Sequence, residues 1–227
     1  ISLENQLIYS SIFILLLGIP HGAIDHVLFF KKREMSQLKF YTIYLGLSLL
    51  FVALWHVWPI TSLILFLLIS AFHFGESQFA DISFKNIFRY LFYFFWGLCL
   101  LSTLMFYNVS ELFEITSYFD DTIVLDKIYN KGKIGIFFYV TNIVTIISIC
   151  VLVFYDKINK DRLFSELFLL FLIHVTFYLF PFIIGFTLYF VALHSLKVMN
   201  DEFKFLKSEE KNFSLMKFLK LLAPYSI

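Results

Sequence analysis

The sequence predicts an all-α integral membrane protein, a polytopic helical bundle with at least seven transmembrane helices, and three observations carry that prediction. Of the 227 residues 60% are hydrophobic and only 15% are charged, and the mean hydropathy is +0.82, far from the near-even apolar-to-polar balance of water-soluble domains. Seven apolar runs reach the length of about 20 residues that a helix needs to cross a hydrocarbon core. The positive charges then cluster in alternate loops between those runs, as they do in multi-pass proteins.

The runs lie near 6–30, 39–57, 60–80, 86–107, 134–155, 163–180 and 182–199. An eighth opens near Leu215 and is cut short by the end of the sequence. Because the chain starts at Ile1 and stops inside that run, both ends are expected to be incomplete, and no cleavable signal peptide is visible. No repeat of fixed period and no low-complexity segment divides the chain, so residues 1–227 read as a single transmembrane domain.

Orientation follows from the basic residues. All but three of the 18 Lys and Arg fall in the first, third, fifth and seventh loops, among them Lys31, Lys32, Arg33, Lys85, Arg162 and Lys204. The opposite side has Lys127, Lys131 and Lys133 beside five acids, so the amino terminus is predicted outside and the first loop cytoplasmic. The segment from about 108 to 133 sets Leu112, Phe113, Ile115, Tyr118 and Phe119 among acids, and reads either as an amphipathic stretch at the outer surface or as a solvated connector. A net charge of +1 offers no basic field for a nucleic-acid partner. Cys99 and Cys150 sit inside apolar runs and read as small membrane-core residues rather than a disulfide.

Ionisable groups inside a membrane are costly and turn toward the protein interior. His21 is nine residues, His73 seven and His194 five from the cytoplasmic ends of their helices, which at ~1.5 Å per residue puts all three in one layer at a depth of roughly 8–14 Å. Pro20 and two glycines surround His21 in Gly18-Ile19-Pro20-His21-Gly22, so helix 1 is predicted kinked or unwound there. Asp25 follows His21 by four residues and Glu76 follows His73 by three, spacings that suit a carboxylate holding an imidazole from behind. His26 is a further candidate whose direction depends on the kink. His56, beside Trp55 and Trp58, reads as an interfacial belt residue, and His174 as a helix-to-helix stitch.

Neutral imidazoles away from bulk water suit a divalent transition metal, and an all-nitrogen shell with open positions suits Fe(2+) and O2 chemistry. The competing explanation is that each histidine only bonds a hydroxyl or carbonyl of a neighbouring helix. The aromatic run Tyr90-Leu91-Phe92-Tyr93-Phe94-Phe95-Trp96 fits either an apolar tunnel for a polyene or lipid-facing packing.

Three segments, Gly18-Ile19-Pro20-His21-Gly22-Ala23-Ile24-Asp25-His26, Ala71-Phe72-His73-Phe74-Gly75 and Tyr189-Phe190-Val191-Ala192-Leu193-His194-Ser195, resemble the signatures of the Brp/Blh family of membrane β-carotene 15,15′-dioxygenases. The likeness spans helices 1 to 7. It implies a bacterial cytoplasmic-membrane enzyme that uses O2 and histidine-bound iron to cleave β-carotene at its central double bond, giving two retinal molecules for a retinal-binding rhodopsin. It also implies that His21, His73 and His194 are the iron ligands. The family continues the third motif as His-Ser-x-x-His, whereas this chain has Val198 at the second histidine position. His26, a nearby carboxylate or water then completes the shell, or the chain has become a non-catalytic carotenoid- or retinal-binding membrane protein.

Other readings fit less well. Lipid desaturases and hydroxylases need histidines at i, i+3 or i+4, a spacing that no two histidines here show. A Schiff-base lysine for retinal would have to be Lys197, which lies too near the cytoplasmic end of helix 7. A transporter would show paired interrupted helices in its two halves, and only helix 1 carries an evident interruption in the sequence.

Overall fold

Each predicted run is helical in the computed structural model. Seven segments among the described residues are long and apolar enough to cross a membrane: Leu3–Phe30, Gln37–Val57, Pro59–Gln78, Ile87–Tyr107, Lys131–Phe154, Lys160–Leu179 and Phe182–Glu209. The structure describes residues 1–22, 24–32, 35–82, 87–118, 130–210 and 212–226, without the side chains of 25, 26, 31, 32, 225 and 226.

The first span consists of α1 (Leu3–Phe13), a widened turn over Ile14–Gly18, a tight turn over Ile19–Gly22, and α2 (Asp25–Lys32). Next come α3 (Gln37–Val57), α4 (Pro59–Gln78), α5 (Ile87–Tyr107) and the short α6 (Val109–Thr116). They are followed by α7 (Lys131–Phe154) and α8 (Lys160–Leu179). The last span is α9 (Phe182–Leu188), a widened stretch over Tyr189–Ser195, and α10 (Leu196–Glu209). The run opening near Leu215 is the helix α11 (Leu215–Ser226), with Pro224 inside it. The last span runs ten residues past its predicted limit at 199, because α10 continues as a helix of mixed polarity after the apolar residues stop. The residues cluster into two compact units, one of Ile1–Ala53 with Thr187–Ile227 and one of Leu54–Phe186.

In the second unit α5 is the central helix, and glycines let its neighbour approach. A Cβ on Gly97 of α5 would lie 1.7 Å from the Ala71 carbonyl oxygen, and one on Gly75 of α4 would lie 1.9 Å from the Tyr93 carbonyl oxygen. The two backbones therefore touch at two reciprocal points, the small-residue packing that lets membrane helices gain dispersion contact where water supplies no drive. Between α5 and α7 a polar seam is buried: Asn142 accepts from Cys99 Sγ at 3.2 Å and donates to Thr103, and the hydroxyls of Ser102 and Thr141 lie 2.6 Å apart. Cys99 is buried on α5 and Cys150 exposed on α7, each as a free thiol.

The end of α4 is fixed by α8. Arg162 donates to the Gln78 carbonyl at 3.0 Å and lies 2.8 Å from the Glu166 carboxylate, to which the Gln78 amide also donates at 2.9 Å. A guanidinium thus satisfies one of the carbonyls left open at a helix end and complements its dipole. At the other end of the unit, α6 buries Leu112 and Thr116, and Glu111 accepts from the Phe182 backbone N–H at 2.6 Å. The first part of the 108–133 segment is therefore an amphipathic helix packed on protein, and Tyr118 after it is exposed. Phe119, Asp120, Asp121, Asp126 and Lys127 of that segment lie outside the described residues.

In the first unit Ile24, Leu206, Phe218 and Leu222 form a buried cluster, so α10, α11 and the turn after His21 share one core. His56 stands exposed in the last turn of α3, just before the exposed Trp58. His174 bonds the Leu170 carbonyl one turn back and meets the rings of Tyr107 on α5 and Phe138 on α7. It stitches helices together through its ring faces rather than through an interhelical hydrogen bond.

Candidate metal centre

The backbone around His21 is irregular for a local reason. Pro20 has no N–H, and its ring would strike the carbonyl four residues back in a regular helix. The helix instead widens, with the Ile19 N–H reaching the Ile14 carbonyl, and then tightens over Ile19–Gly22, which carries His21. The interruption expected from the sequence is present. A second one was not legible: the last span also widens, with the Leu196 N–H bonding the Val191 carbonyl, and this stretch carries His194. No proline or glycine lies within Tyr189–Ser195 to announce it. Single widened turns of this kind are frequent at functional sites.

Within the first unit these two irregular turns bring His21 and His194 together. Their ring centroids are 5.2 Å apart with the planes at 77°. His194 is 2% exposed and His21 is half-buried. His21 Nδ1 bonds the Gly18 carbonyl oxygen, and Ser195 Oγ lies 3.4 Å from the same nitrogen. A carbonyl can only accept, so Nδ1 carries a proton, and in the neutral ring it is Nε2 that offers the lone pair. The backbone thereby holds the His21 imidazole from behind, the task the sequence reading gave to Asp25. The side chains of Asp25 and His26 lie outside the described ones.

Phe190 completes the arrangement and was missed as a site residue. Its ring stacks on His194 at 5.6 Å and 23°, and meets His21 edge-on at 5.3 Å. Gly18 makes room for it, since a Cβ there would come within 2.8 Å of Phe190 Cε1. Both Phe190 and Ser195 sit inside the third sequence motif, but only the packing shows what they touch.

In the second unit His73 lies in the last third of α4, exposed, with its ring beside that of Phe74 at 6.1 Å. Glu76, three residues on, is also exposed. Gly75 between them is the glycine that sets α4 against Tyr93, so the His-Phe-Gly motif joins a candidate ligand to a helix crossing. Val198, one turn after His194, is half-buried on α10 and offers no lone pair.

Comparison with known proteins agrees with the three motifs. The chain matches the family described as Beta-carotene 15,15'-dioxygenase over residues 12–227. It is 38% identical over 71 residues to a Beta-carotene 15,15'-dioxygenase of Uncultured marine bacterium 66A03, an alignment covering 29% of this chain and 26% of that relative. The matched stretch thus spans about a quarter of the length of the curated relative. No solved structure matches the chain. With the family matched over nearly the whole chain, this protein belongs to the β-carotene 15,15′-dioxygenase family.

Proposed function

We propose that this membrane protein cleaves β-carotene with O2 at its central double bond, at a ferrous ion held by His21, His73 and His194. One carbon–carbon double bond breaks and each of its carbons takes one oxygen atom, so one β-carotene and one O2 give two retinal molecules. The observation that carries the reading is the fixed tautomer of His21. Its Nδ1 is committed to the Gly18 carbonyl, which leaves a neutral Nε2 donor beside the buried His194 ring.

This donor set fits the metal. Neutral imidazoles in an apolar setting are borderline ligands that suit Fe(2+), and each needs a group behind it to hold its orientation. The Gly18 carbonyl does this for His21, the Phe190 face steadies His194, and Glu76 on the next turn of α4 is assigned to His73. Ferrous iron, when bound, supplies the redox chemistry that activates O2. The protein supplies a dry, apolar surrounding and holds the imidazoles in place. With Val198 unable to ligate, the described part of the chain contributes three imidazoles, and the amide-free, uncharged faces of Phe190 and Phe74 border them.

The distribution of basic residues supports an amino terminus outside a bacterial cytoplasmic membrane, with the three histidines in its inner half. Retinal released there would pass through the lipid to a retinal-binding rhodopsin.

The test is expression in β-carotene-producing cells, with retinal analysed in extracts and iron measured on purified protein. Retinal formation together with iron that co-purifies in proportion to protein is expected. His73→Ala should abolish retinal formation while leaving membrane insertion intact. A folded, iron-free protein that leaves β-carotene untouched would overturn the reading in favour of a carotenoid-binding scaffold, the role that the valine at position 198 favours.

A further inference from the structure

None of His21, His73 and His194 lines the groove that the second unit leaves between α4 and α7. Both of these helices pack on α5, and the hollow between them has a volume of about 310 Å3. Its floor is Leu98, Leu101 and Met105 of α5, the last two buried, and its rims are the exposed Ile64 and Leu68 of α4 and Phe137 of α7. The inner end is blind. Ala71 follows Leu68 by three residues and Gly97 directly precedes Leu98, so the α4 and α5 backbones close on each other just past both leucines. On α4 His73 stands beyond that contact.

One residue of the lining is charged. Lys133, in the first turn of α7, marks the mouth, and Phe137 follows it by four on the same helix face. That membrane face has only three of the 18 Lys and Arg, so a lysine placed there is not explained by the charge bias that sets topology. The first turn of α7 contains no acid, and Lys131 and Lys133 both add positive charge at the positive end of the helix dipole, where a negative group is favoured.

An apolar trough with an ammonium at its outer end is matched by an amphiphile with a hydrocarbon tail and a negative head. The volume is about twice the ~150 Å3 that holds benzene, which is room for roughly a dozen carbons of an acyl chain. From Leu98 to Met105 α5 advances roughly 10 Å, at ~1.5 Å per residue, so such a chain lies along α5 with its head at the level of the first turn of α7. A carotenoid hydrocarbon has no group for the ammonium to hold.

We infer that this groove is a lipid site, in which one acyl chain of an anionic phospholipid lies on α5 between α4 and α7 and its phosphate pairs with Lys133. The site stands whether or not the chain cleaves β-carotene, because it shares no residue with the candidate iron ligands. A preference of about fivefold over a zwitterionic phospholipid with the same acyl chains is expected, the contribution of one lysine near an anionic membrane surface.

The experiment is native mass spectrometry of the full chain in detergent, with phosphatidylglycerol and phosphatidylcholine of identical acyl chains in competition. Retained lipid is compared among the unmodified chain, Lys133→Gln, Lys131→Gln, which alters a charge outside the groove, and Leu68→Trp, which fills the groove from its rim. Phosphatidylglycerol is expected to be preferred by the unmodified chain and by Lys131→Gln, the preference to vanish in Lys133→Gln, and both lipids to be lost from Leu68→Trp. Equal retention of the two lipids by the unmodified chain overturns the inference, whether or not Leu68→Trp folds. So does a preference that Lys133→Gln leaves unchanged, or one that Lys131→Gln abolishes equally, which would assign it to the general charge of that surface. Displacement of the bound phospholipid by β-carotene, or retention of a long-chain fatty acid in its place, would give the groove to another occupant and overturn it as well.

Discussion

The ring of Phe190 lies flat against the imidazole of His194, centroids 5.6 Å apart at 23°, four residues before it in a widened helical stretch. The same ring meets His21 edge-on, so one apolar side chain touches both imidazoles of the first unit. Removing it frees both rings to rotate. Phe190→Ala is therefore expected to weaken iron binding about 10–100-fold, as loss of a group orienting metal ligands does. Chelator competition on the purified protein reads this directly, and unchanged affinity would dismiss Phe190 as a positioning residue.

A milder effect is expected at Ser195. Its hydroxyl is 3.4 Å from His21 Nδ1, which already bonds the Gly18 carbonyl. Ser195→Ala removes the weaker of two partners and should cost about 1 kcal/mol or less in iron affinity. A loss as large as that of Phe190→Ala would mean that the hydroxyl, and not the carbonyl, sets the His21 tautomer.

The helix crossing behind His73 gives a stability prediction. A side chain at Gly97 would meet the Ala71 carbonyl at 1.7 Å, a contact that only separation of α4 and α5 relieves. Gly97→Ala is expected to destabilise the second unit by about 3 kcal/mol, the upper end of ordinary overpacking, and Gly97→Leu by more. Thermal unfolding in detergent checks it, and a melting temperature equal to that of the unmodified chain would show that the helices do not touch there.

Glu166 is 2% exposed, and its carboxylate is matched by Arg162 and by the Gln78 amide. Arg162→Ala leaves that charge buried and uncovers the Gln78 carbonyl at the end of α4. A loss of about 3–5 kcal/mol is expected from breaking such a pair on one side only. Arg162→Ala combined with Glu166→Gln should recover much of the stability, and failure of that rescue would assign the effect to the lost α4 contact instead.

Position 198 allows a gain-of-function test. It lies four residues after His194 on a helix, a spacing that brings side chains onto one face. Val198→His adds an imidazole there and is expected to tighten iron binding and raise retinal yield in carotenoid-producing cells. Unchanged iron affinity would mean that the valine faces away from the ion.

Much of this molecule is legible from residue order alone. Seven spans follow from the lengths of apolar runs, because hydrocarbon forces a backbone to satisfy its own hydrogen bonds as helix. The break in the first span is legible as well, since Pro20 withdraws a donor wherever it is placed. His21, His73 and His194 stand out by their depth, and the three motifs around them identify the family.

What residue order does not determine are the contacts made between distant turns. The widening at Tyr189–Ser195 has no local signal, since neither proline nor glycine lies within it. The aromatic run at 90–96 illustrates the same limit: Phe92, Tyr93 and Trp96 fill the core against Phe79 and α4, while farther along α5 the aliphatic Leu98 and Leu101 line the groove. Gly18, Gly75 and Gly97 look alike in the sequence, and only the neighbouring backbone or ring shows that each marks a close approach. Composition and period fix where a helix forms, since those are local balances of burial and hydrogen bonding. Which of its faces meets another helix, and so which rings stand against the His21 imidazole, depends on steric fit between segments more than a hundred residues apart, and only the folded chain decides it.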